Sequence, residues 1–236
     1  MPPVSSATSS PSPAKTKWGE RIPGTQTCRM FESDFLEKFS RIHPATPFVV
    51  YVPLMAFMIY RSAARLDVAS IAALFAGGLF VWSLTEYWLH RLVFHWTKDS
   101  PRGRRIHFLL HGVHHDFPND KDRLVMPLLT SVPLAVIFYT LFYVCLGGVK
   151  YAEPVYAGFA LGYLAYDGTH YAVHHFKQEG RIGRFLKKHH MLHHHADHGG
   201  GFGVSSPLWD IVFRTMPQVK KLGATRKAEA EVRAAR

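Results

Sequence analysis

Long stretches with almost no charge constrain the fold of this 236-residue chain more than any other feature. A helix needs about 20 mainly apolar residues to cross a bilayer, and in lipid only helices and closed barrels satisfy the backbone. No strand-like alternation accompanies these stretches, so the sequence predicts an all-α, multi-pass membrane protein with four transmembrane helices. The predicted spans are residues 43–60, 68–85 (continuing to 90), 126–149 and 154–175.

The basic residues alternate across these spans. Lys and Arg number 6 before the first span, 2 after it, 7 after the second, 1 after the third and 12 after the fourth. Cytoplasmic loops carry an excess of Lys and Arg, so both termini, residues 91–123 and residues 176–236 are predicted to be cytoplasmic. The membrane is either a bacterial inner membrane or the endoplasmic reticulum. The net charge of +11 then reflects the membrane rather than nucleic acid, for which no binding motif is present.

Composition divides the chain into three parts. Residues 1–42 begin with a Ser/Pro/Thr/Ala-rich stretch that lacks the apolar segment of a signal peptide. We expect a disordered, basic N-terminal tail there, followed by an interfacial segment. Residues 43–217 form the predicted membrane-embedded domain, and residues 218–236 form a basic C-terminal tail.

The sixteen histidines are concentrated near the cytoplasmic ends of the spans, and their spacing is helical. Two sets repeat an i, i+3, i+4 pattern and one pair is i, i+4, which places imidazoles on one helical face. A further pair is five apart, which predicts a helix end or break between its members. The ten candidate ligands are His90, His95, His111, His114, His115, His170, His174, His190, His193 and His194.

Ten imidazoles are enough for two metal ions with about five ligands each. A single histidine is more often an ordinary core or surface residue, and a histidine run can be a tag or a metal-buffering tract. Tags lie at termini and lack internal helical spacing, whereas these clusters adjoin three different segments. The sequence therefore predicts a histidine-ligated di-metal centre in a cytoplasmic helical cap.

Five further residues are candidates for orienting these ligands. His107, His175 and His189 could orient a ligand or donate to bound oxygen species. Glu86 precedes His90 by four residues and Asp167 precedes His170 by three, so each could accept the distal N–H of that imidazole. Either acid could equally be an interfacial carboxylate that reaches water. Two other histidines, His195 and His198, are expected either to surround the ligand set from outside or to face solvent.

The glycine-rich stretch 199–203 is not a phosphate-binding loop, because it has neither a Lys-Ser/Thr pair nor a preceding strand. It is either a plain connector or a flexible turn that allows Phe202 and Trp209 to cover the metal centre.

Five motifs together resemble the fatty acid hydroxylase superfamily, and within it the fatty acid 2-hydroxylases that act on sphingolipid acyl chains. The resemblance covers about residues 86–216 in motifs. The motifs are HRLVFHW (90–96), HFLLHGVHHDFPNDKDRLVMP (107–127), YDGTHYAVHH (166–175), LKKHHMLHHH (186–195) and GFGVSSPLWDIVF (201–213).

The resemblance implies a non-haem di-iron oxygenase that carries its metal on the ten histidines above and uses O2 to hydroxylate a lipid acyl chain. Zinc is an expected silent substitute in overproduced protein. Two departures stand out: His189 and His195 occupy positions where the family tends to have tyrosine. The acyl chain that such an enzyme hydroxylates could belong to a free fatty acid, an acyl-CoA, a ceramide or another lipid.

Two other functions fit parts of the pattern. A desaturase, or a sterol or carotenoid hydroxylase, shares the histidine boxes and the same hydrogen abstraction. A histidine-rich metal transporter is the non-enzymatic alternative, but its ligands should lie within the spans near the bilayer midplane. Here the histidines gather at the span ends and beyond them.

The reaction also needs two electrons. Many eukaryotic relatives carry a cytochrome b5 domain ahead of the spans, but this chain has no haem-binding HPGG, no strand-plus-GxGxxG unit and two isolated cysteines. The sequence therefore predicts a separate electron-transfer protein, cytochrome b5-like or ferredoxin-like, with its reductase. The basic residues Arg102, Arg104, Arg105, Lys187 and Lys188 would face anionic headgroups or that partner.

Overall fold

The computed structural model describes residues 19–218, and within that range its secondary structure is helical apart from one isolated β-bridge, between Arg21 and Cys28. Residues 1–18 of the predicted N-terminal segment 1–42, and residues 219–236 of the predicted C-terminal tail 218–236, lie outside the described residues. In chain order the helices are α1 (Asp34–Phe39), α2 (Thr46–Ala63), α3 (Val68–Trp88), a π-helical turn π1 (Leu89–Phe94), α4 (Pro101–His107), a second π-helical turn π2 (Phe108–Gly112), α5 (Val113–Asp116), α6 (Leu128–Cys145), α7 (Val149–His175), α8 (Arg181–His195) and α9 (Leu208–Val212).

Three helical stretches are long and apolar enough to cross a membrane. They correspond to the first three predicted spans and are Thr46–Ala63, Val68–Phe94 and Leu128–Cys145. Few of their residues are buried by the protein itself, so their apolar side chains are available to lipid. The uncharged stretch 126–149 is shorter as a helix than predicted, because Gly147 and Gly148 turn the chain with positive φ angles of 73° and 120°.

The fourth long helix, α7, does not meet the same criterion of apolarity. Sixteen of its 27 residues are buried, and α2, α3 and α6 all pack against it. A helix enclosed by other helices presents little surface to lipid, so it can carry polar residues such as Asp167 and His170. Glu153, near its start, is buried and forms ion pairs with Arg61 and Arg65. The central position of α7 explains its lower apolarity.

Close packing between α3 and α7 depends on glycine. A Cβ at Gly78 would lie 1.9 Å from the carbonyl oxygen of Val155, and one at Gly158 would lie 1.9 Å from that of Phe75. Both distances are far inside van der Waals contact, so only glycine permits this approach. Small residues at helix interfaces are the usual means of close association within membranes. The approach brings the ends of α3 and α7, which both carry histidines, to the same region.

The segment before the first span packs against the histidine-bearing helices. Arg123 is buried, donates a hydrogen bond to the carbonyl oxygen of Cys28 (2.6 Å) and forms an ion pair with Glu37. Arg105 donates to the carbonyl oxygen of Met30. These contacts fix residues 28–40 beside the metal-ligand candidates.

Candidate metal centre

The end of α3 carries the first histidine pair on a π-helical turn. His95 N–H bonds to the carbonyl oxygen of His90 at 3.1 Å, five residues back. An i, i+5 hydrogen bond stacks residues five apart along one face, and single π turns occur frequently at functional sites. The helix end expected between the two histidines is found, since the last helical residue is Phe94, but a π-helical turn rather than a break precedes it. The helix continues in a wider form that brings them together.

The second set straddles another change in helix type. His111 lies in π2, and His114 and His115 follow in the short helix α5. Adjacent helical residues point about 100° apart, since 3.6 residues make one turn. As a result His114 and His115 point toward different groups of histidines, although both rings contact that of His194.

The remaining histidines lie on two longer helices. His170 and His174 occupy the last turns of α7, one turn apart, and both face α8. On α8, His190 and His194 share a face, and the face of His193 is rotated from theirs. The ring centroids of His174 and His190 are 4.9 Å apart.

The structure brings all ten candidate ligands into two adjacent groups of five. In each group, one potential ligand atom per residue lies within 4.8 Å of every other. The groups meet where the rings of His115 and His194 stack, with centroids 4.2 Å apart. Site A consists of His90, His95, His111, His115 and His193, and site B of His114, His170, His174, His190 and His194.

The distances between ring nitrogens suit metal ligation. The Nε2 atoms of His90 and His111 are 3.1 Å apart in site A. In site B the Nε2 atom of His114 is 2.8 Å from that of His170 and 3.0 Å from that of His194. Nitrogen ligands about 2.1 Å from one ion are separated by about 3 to 4 Å. The buried Nε2 atoms of His115 and His193 have no hydrogen-bond partner among the described residues. Both donor sets therefore fit a metal ion.

Burial keeps these imidazoles neutral. Burial, reinforced by the neighbouring His193, lowers the pKa of His95 to about 3, and burial lowers that of His193 to about 4. The pKa values of His111 and His114 are also well below the ordinary value, for the same reason. A neutral imidazole has a free nitrogen lone pair at physiological pH, which is the form that binds metal.

Two histidines of site A are oriented by backbone carbonyls of the glycine-rich loop. His90 Nδ1–H donates to the carbonyl oxygen of Phe202 (2.6 Å), and His193 Nδ1–H donates to that of Gly200 (2.8 Å). Each bond fixes the tautomer that leaves Nε2 free to bind metal. Sequence reasoning missed this role, because backbone carbonyls have no residue signature.

The loop is itself held by two buried carboxylates. Asp210 accepts hydrogen bonds from the backbone N–H groups of Phe202 (3.0 Å) and Gly203 (2.8 Å). Glu86 accepts from those of Val204 (2.7 Å) and Ser205 (2.8 Å). The loop is therefore anchored rather than free to flex.

This network corrects the predicted role of Glu86. Its carboxylate does not accept the distal N–H of His90, because that N–H bonds to Phe202 and the Glu86 oxygens are taken by the loop. Glu86 acts on site A indirectly, through the loop it holds. Nothing in the spacing of Asp210 from the histidines indicated its part.

Site B lacks comparable acceptors. The Nδ1 atoms of four of its histidines are buried and have no hydrogen-bond partner within residues 19–218; they belong to His114, His170, His190 and His194. The predicted bond from His170 to Asp167 is therefore absent, although Asp167 is fully buried nearby. In site B, the ring of His170 on α7 contacts those of His190 on α8 and His114 on α5 directly.

The three histidines predicted to orient ligands have other surroundings. His189 Nε2 bonds to Asp210 (3.1 Å), so it supports the loop. The Nε2 of His175 has no partner in the described range, and the ring of His107 lies 6.5 Å from that of His95. His195 and His198 are exposed, as expected.

Of the two aromatic residues expected to cover the centre, only Phe202 does so. Its ring lies 5.8 Å from those of His90 and His193. Trp209 instead packs on α3, where its Nε1–H donates to Ser83 (3.1 Å).

A cavity of about 240 Å³ opens beside both sites. His111 of site A borders it, as do His114 and His170 of site B, and the rest of its wall is mainly apolar. We call it the site cavity; its apolar wall includes Phe94, Leu109, Leu110, Leu124, Met126 and Leu129. An apolar space that leads to two metal sites suits a hydrocarbon chain.

Comparison with known proteins agrees with this arrangement. The sequence model of the family named fatty acid hydroxylase matches residues 75–215. The dihydroceramide fatty acyl 2-hydroxylase FAH1 of Arabidopsis thaliana is 37% identical over 194 residues, covering 81% of this chain and 81% of its own length. The human fatty acid 2-hydroxylase is 34% identical over 223 residues, covering 84% of this chain and 59% of its own length.

A solved structure also matches. It is full-length scs7p with only the hydroxylase domain visible, at a TM-score of 0.74 and 38% sequence identity, covering 78% of this chain and 70% of that one. The ceramide very long chain fatty acid hydroxylase SCS7 of Saccharomyces cerevisiae is 38% identical over 185 residues, which are 77% of this chain and 48% of that protein.

Proposed function

This chain belongs to the fatty acid hydroxylase family, and on that premise we propose that it is a membrane-embedded, O2-dependent di-iron 2-hydroxylase of a sphingolipid N-acyl chain. Hydroxylation of a lipid acyl chain is the activity of its relatives. The observation that carries the di-metal part is the division of ten buried or half-buried imidazoles into two sets of five. That donor set accounts for the metal-dependent oxidation, and the adjoining apolar cavity accounts for binding of the acyl chain.

Iron held by these histidines would activate O2, the oxidant that hydroxylation of an unactivated C–H bond requires. The protein's own residues position and isolate the reaction. The carbonyl oxygens of Phe202 and Gly200 hold His90 and His193 in the tautomer that exposes Nε2. The Phe202 ring covers site A, and the apolar wall of the site cavity excludes water from a bound acyl chain.

The activity test uses the purified full chain in lipid vesicles, reloaded with ferrous iron and given dihydroceramide, O2 and a cytochrome b5 donor system. Freshly purified protein should contain two metal ions per chain. The product should carry one additional oxygen atom at C2, and isotopically labelled O2 should supply it. One metal ion or none, or a desaturated product, would contradict the proposal.

The proposed orientation has four spans, including α7, with both termini and the metal sites on the cytoplasmic side. The distribution of Lys and Arg supports it. Arg102 is exposed between the second and third spans, whereas the native Cys145 is exposed at the end of α6, on the predicted opposite side. In an Arg102→Cys, Cys145→Ser protein, a membrane-impermeant thiol reagent should label only from the cytoplasm. With Cys145 as the available thiol, it should label only from outside. Reversed labelling would overturn the orientation.

Electrons are proposed to come from a separate acidic donor that docks on exposed basic residues. Not every predicted residue is available: Arg105 bonds to Met30 and Lys187 to the carbonyl oxygen of Phe176, whereas Arg102 and Lys188 are exposed. Donor-supported turnover should fall as salt increases, since the Debye length is about 8 Å at physiological ionic strength.

A charge reversal separates docking from catalysis. Lys188→Glu should raise the donor concentration needed for half-maximal rate, and Lys150→Glu, on the opposite side of the membrane, should not. Activity with a nicotinamide cofactor alone, in a donor-free preparation, would refute the need for a partner.

A further inference from the structure

A second, smaller cavity lies deeper among the long helices. Its volume is about 30 Å³, and α2, α3, α6 and α7 all contribute to its wall. We call it the bundle cavity; its lining includes Trp82, Leu134, Ala135, Phe138, Phe159 and Tyr163. Most of this lining is apolar or aromatic, although Tyr51, Ser131, Tyr156 and Tyr163 carry hydroxyl groups, so the cavity suits hydrocarbon rather than a charged group.

Met126 lines both cavities, so its side chain stands between them. The remaining lining residues follow the same order along two helices. On α6, Thr130 borders the site cavity and Ala135 borders the bundle cavity. On α7, His170 and Tyr166 border the site cavity and Tyr163 borders the bundle cavity. The two spaces therefore succeed one another along the groove between α6 and α7.

The distance from site B to the far end of the bundle cavity is comparable to the length of a long acyl chain, although the bundle cavity itself has a volume of only about 30 Å³. Fourteen residues of α7 separate His170, at site B, from Tyr156, at the far end of the bundle cavity. At 1.5 Å per helical residue this distance is about 21 Å.

The position of the reacting carbon requires such a path. In 2-hydroxylation the reacting carbon is bonded to the carbonyl carbon, so nearly the whole hydrocarbon chain lies on one side of it. That chain must leave the metal sites through an apolar space.

Resting on the proposed function, we propose that the acyl chain passes Met126 from the site cavity into the bundle cavity. Met126 then controls the passage, and Ala135 limits how far a chain extends beyond it. Burial of one methylene changes binding about fourfold, or about 0.8 kcal/mol, so a bulkier residue within the bundle cavity selects strongly against the longest chains.

The test measures which chains are hydroxylated rather than only how fast. The full chain, iron-loaded in vesicles with its donor system, is given an equimolar mixture of dihydroceramides that differ in N-acyl length, and the products are quantified by mass spectrometry. Ala135→Phe should reduce kcat/KM for the longest chains about tenfold or more, with the shortest chains unchanged. Val136→Phe is the matched control, because Val136 is the adjacent residue and is 59% exposed on the outer face of α6. It should reproduce the wild-type profile.

Substitution of Met126, which stands between the two cavities, gives a second measurement if the Ala135→Phe variant is poorly expressed. Met126→Ala should shift the profile toward longer chains, and Met126→Trp should confine it to the shortest. An unchanged profile in Ala135→Phe and Met126→Ala, with hydroxylation intact, would overturn the inference. A profile that responds instead to Leu129→Trp, at the exposed mouth of the site cavity, would place the tail outside the bundle. Loss of hydroxylation by the wild-type protein would instead contradict the proposed function.

Discussion

Site A and site B contain the same number of imidazoles but are held in different ways. In site A, the carbonyl oxygens of Phe202 and Gly200 accept the distal N–H of two histidines, and the carboxylates of Glu86 and Asp210 hold that loop. In site B, four distal nitrogens have no protein acceptor within the described chain. A loop far along the sequence therefore orients one site, whereas helix packing alone orients the other.

Each site also takes one ligand, here called an exchanged ligand, from the half of the chain that supplies most of the other site. The first half of the chain supplies four histidines to site A and contributes His114 to site B. The second half supplies four to site B and contributes His193 to site A. Neither site can form from one half alone, so both should be sensitive to loss of an exchanged histidine.

The largest expected effect is the loss of an exchanged ligand. His193→Gln and His114→Gln should each lower turnover by more than about 100-fold, since even changes around a ligand cost 10- to 100-fold. Metal analysis should show His193→Gln losing metal from site A and His114→Gln losing it from site B. The control is His195→Gln, on the same helix and exposed, which should retain both ions and activity. Near-normal activity of either ligand variant would show that the exchange is not functional.

The second largest effect is expected when the spacing set by the π-helical turn is changed. This turn separates His90 from His95, two ligands of site A. Insertion of one alanine after Val93, which is 40% exposed, places the two histidines six residues apart, a spacing that turns His95 away from His90 in either helix type. The metal content should fall from two ions to one and activity should be lost. Insertion of one alanine after the exposed Asp99, in the connection to α4, is the control and should cost less. Two retained ions in the Val93 insertion variant would show that site A does not depend on the spacing set by the π turn.

Helical spacing singled out eight of the ten histidines that the structure brings together, all but the pair His90 and His95, but it did not divide them between sites. An i, i+3, i+4 set was interpreted as one face, yet His111 and His115 join site A while His114 joins site B. The reason is the rotation of about 100° per residue, which separates adjacent positions once two ions lie side by side. The sequence also predicted four long helices, but it did not indicate that α7 lies at their centre.

The residues that orient the ligands were the least predictable. Glu86 and Asp167 were selected because they precede a ligand by one helical turn. Folding instead brings residues 200–205 beside Glu86, across more than 110 positions of sequence, and backbone amides satisfy its carboxylate. Such long-range backbone contacts leave no spacing pattern that a single sequence could reveal.

A smaller effect, on metal release from site A alone, is expected when Glu86 is replaced. Glu86→Ala removes the acceptor of two loop amides, so chelator-driven release of metal from site A should accelerate about 10- to 100-fold, with release from site B unchanged. Glu86→Gln keeps one amide-accepting oxygen and should restore most of the wild-type behaviour. Equal acceleration at both sites would mean that Glu86 stabilises the fold in general rather than site A.

The smallest expected effect comes from replacing His189. It tests whether a histidine acts through its neighbours in the sequence or through its hydrogen-bond partner. His189 and His175 each adjoin a ligand of site B, namely His190 and His174. Yet His189 Nε2 bonds to Asp210 (3.1 Å), which holds the loop of site A, whereas the Nε2 of His175 has no partner among the described residues. One hydrogen bond contributes about 0.5–1.5 kcal/mol, so His189→Phe should accelerate metal release from site A by roughly 2- to 12-fold and leave site B unaffected. His175→Phe should leave both release rates within experimental error. If His189→Phe acted on site B instead, adjacency along α8 would matter more than the bond to Asp210, and the loop would no longer explain how the two sites differ.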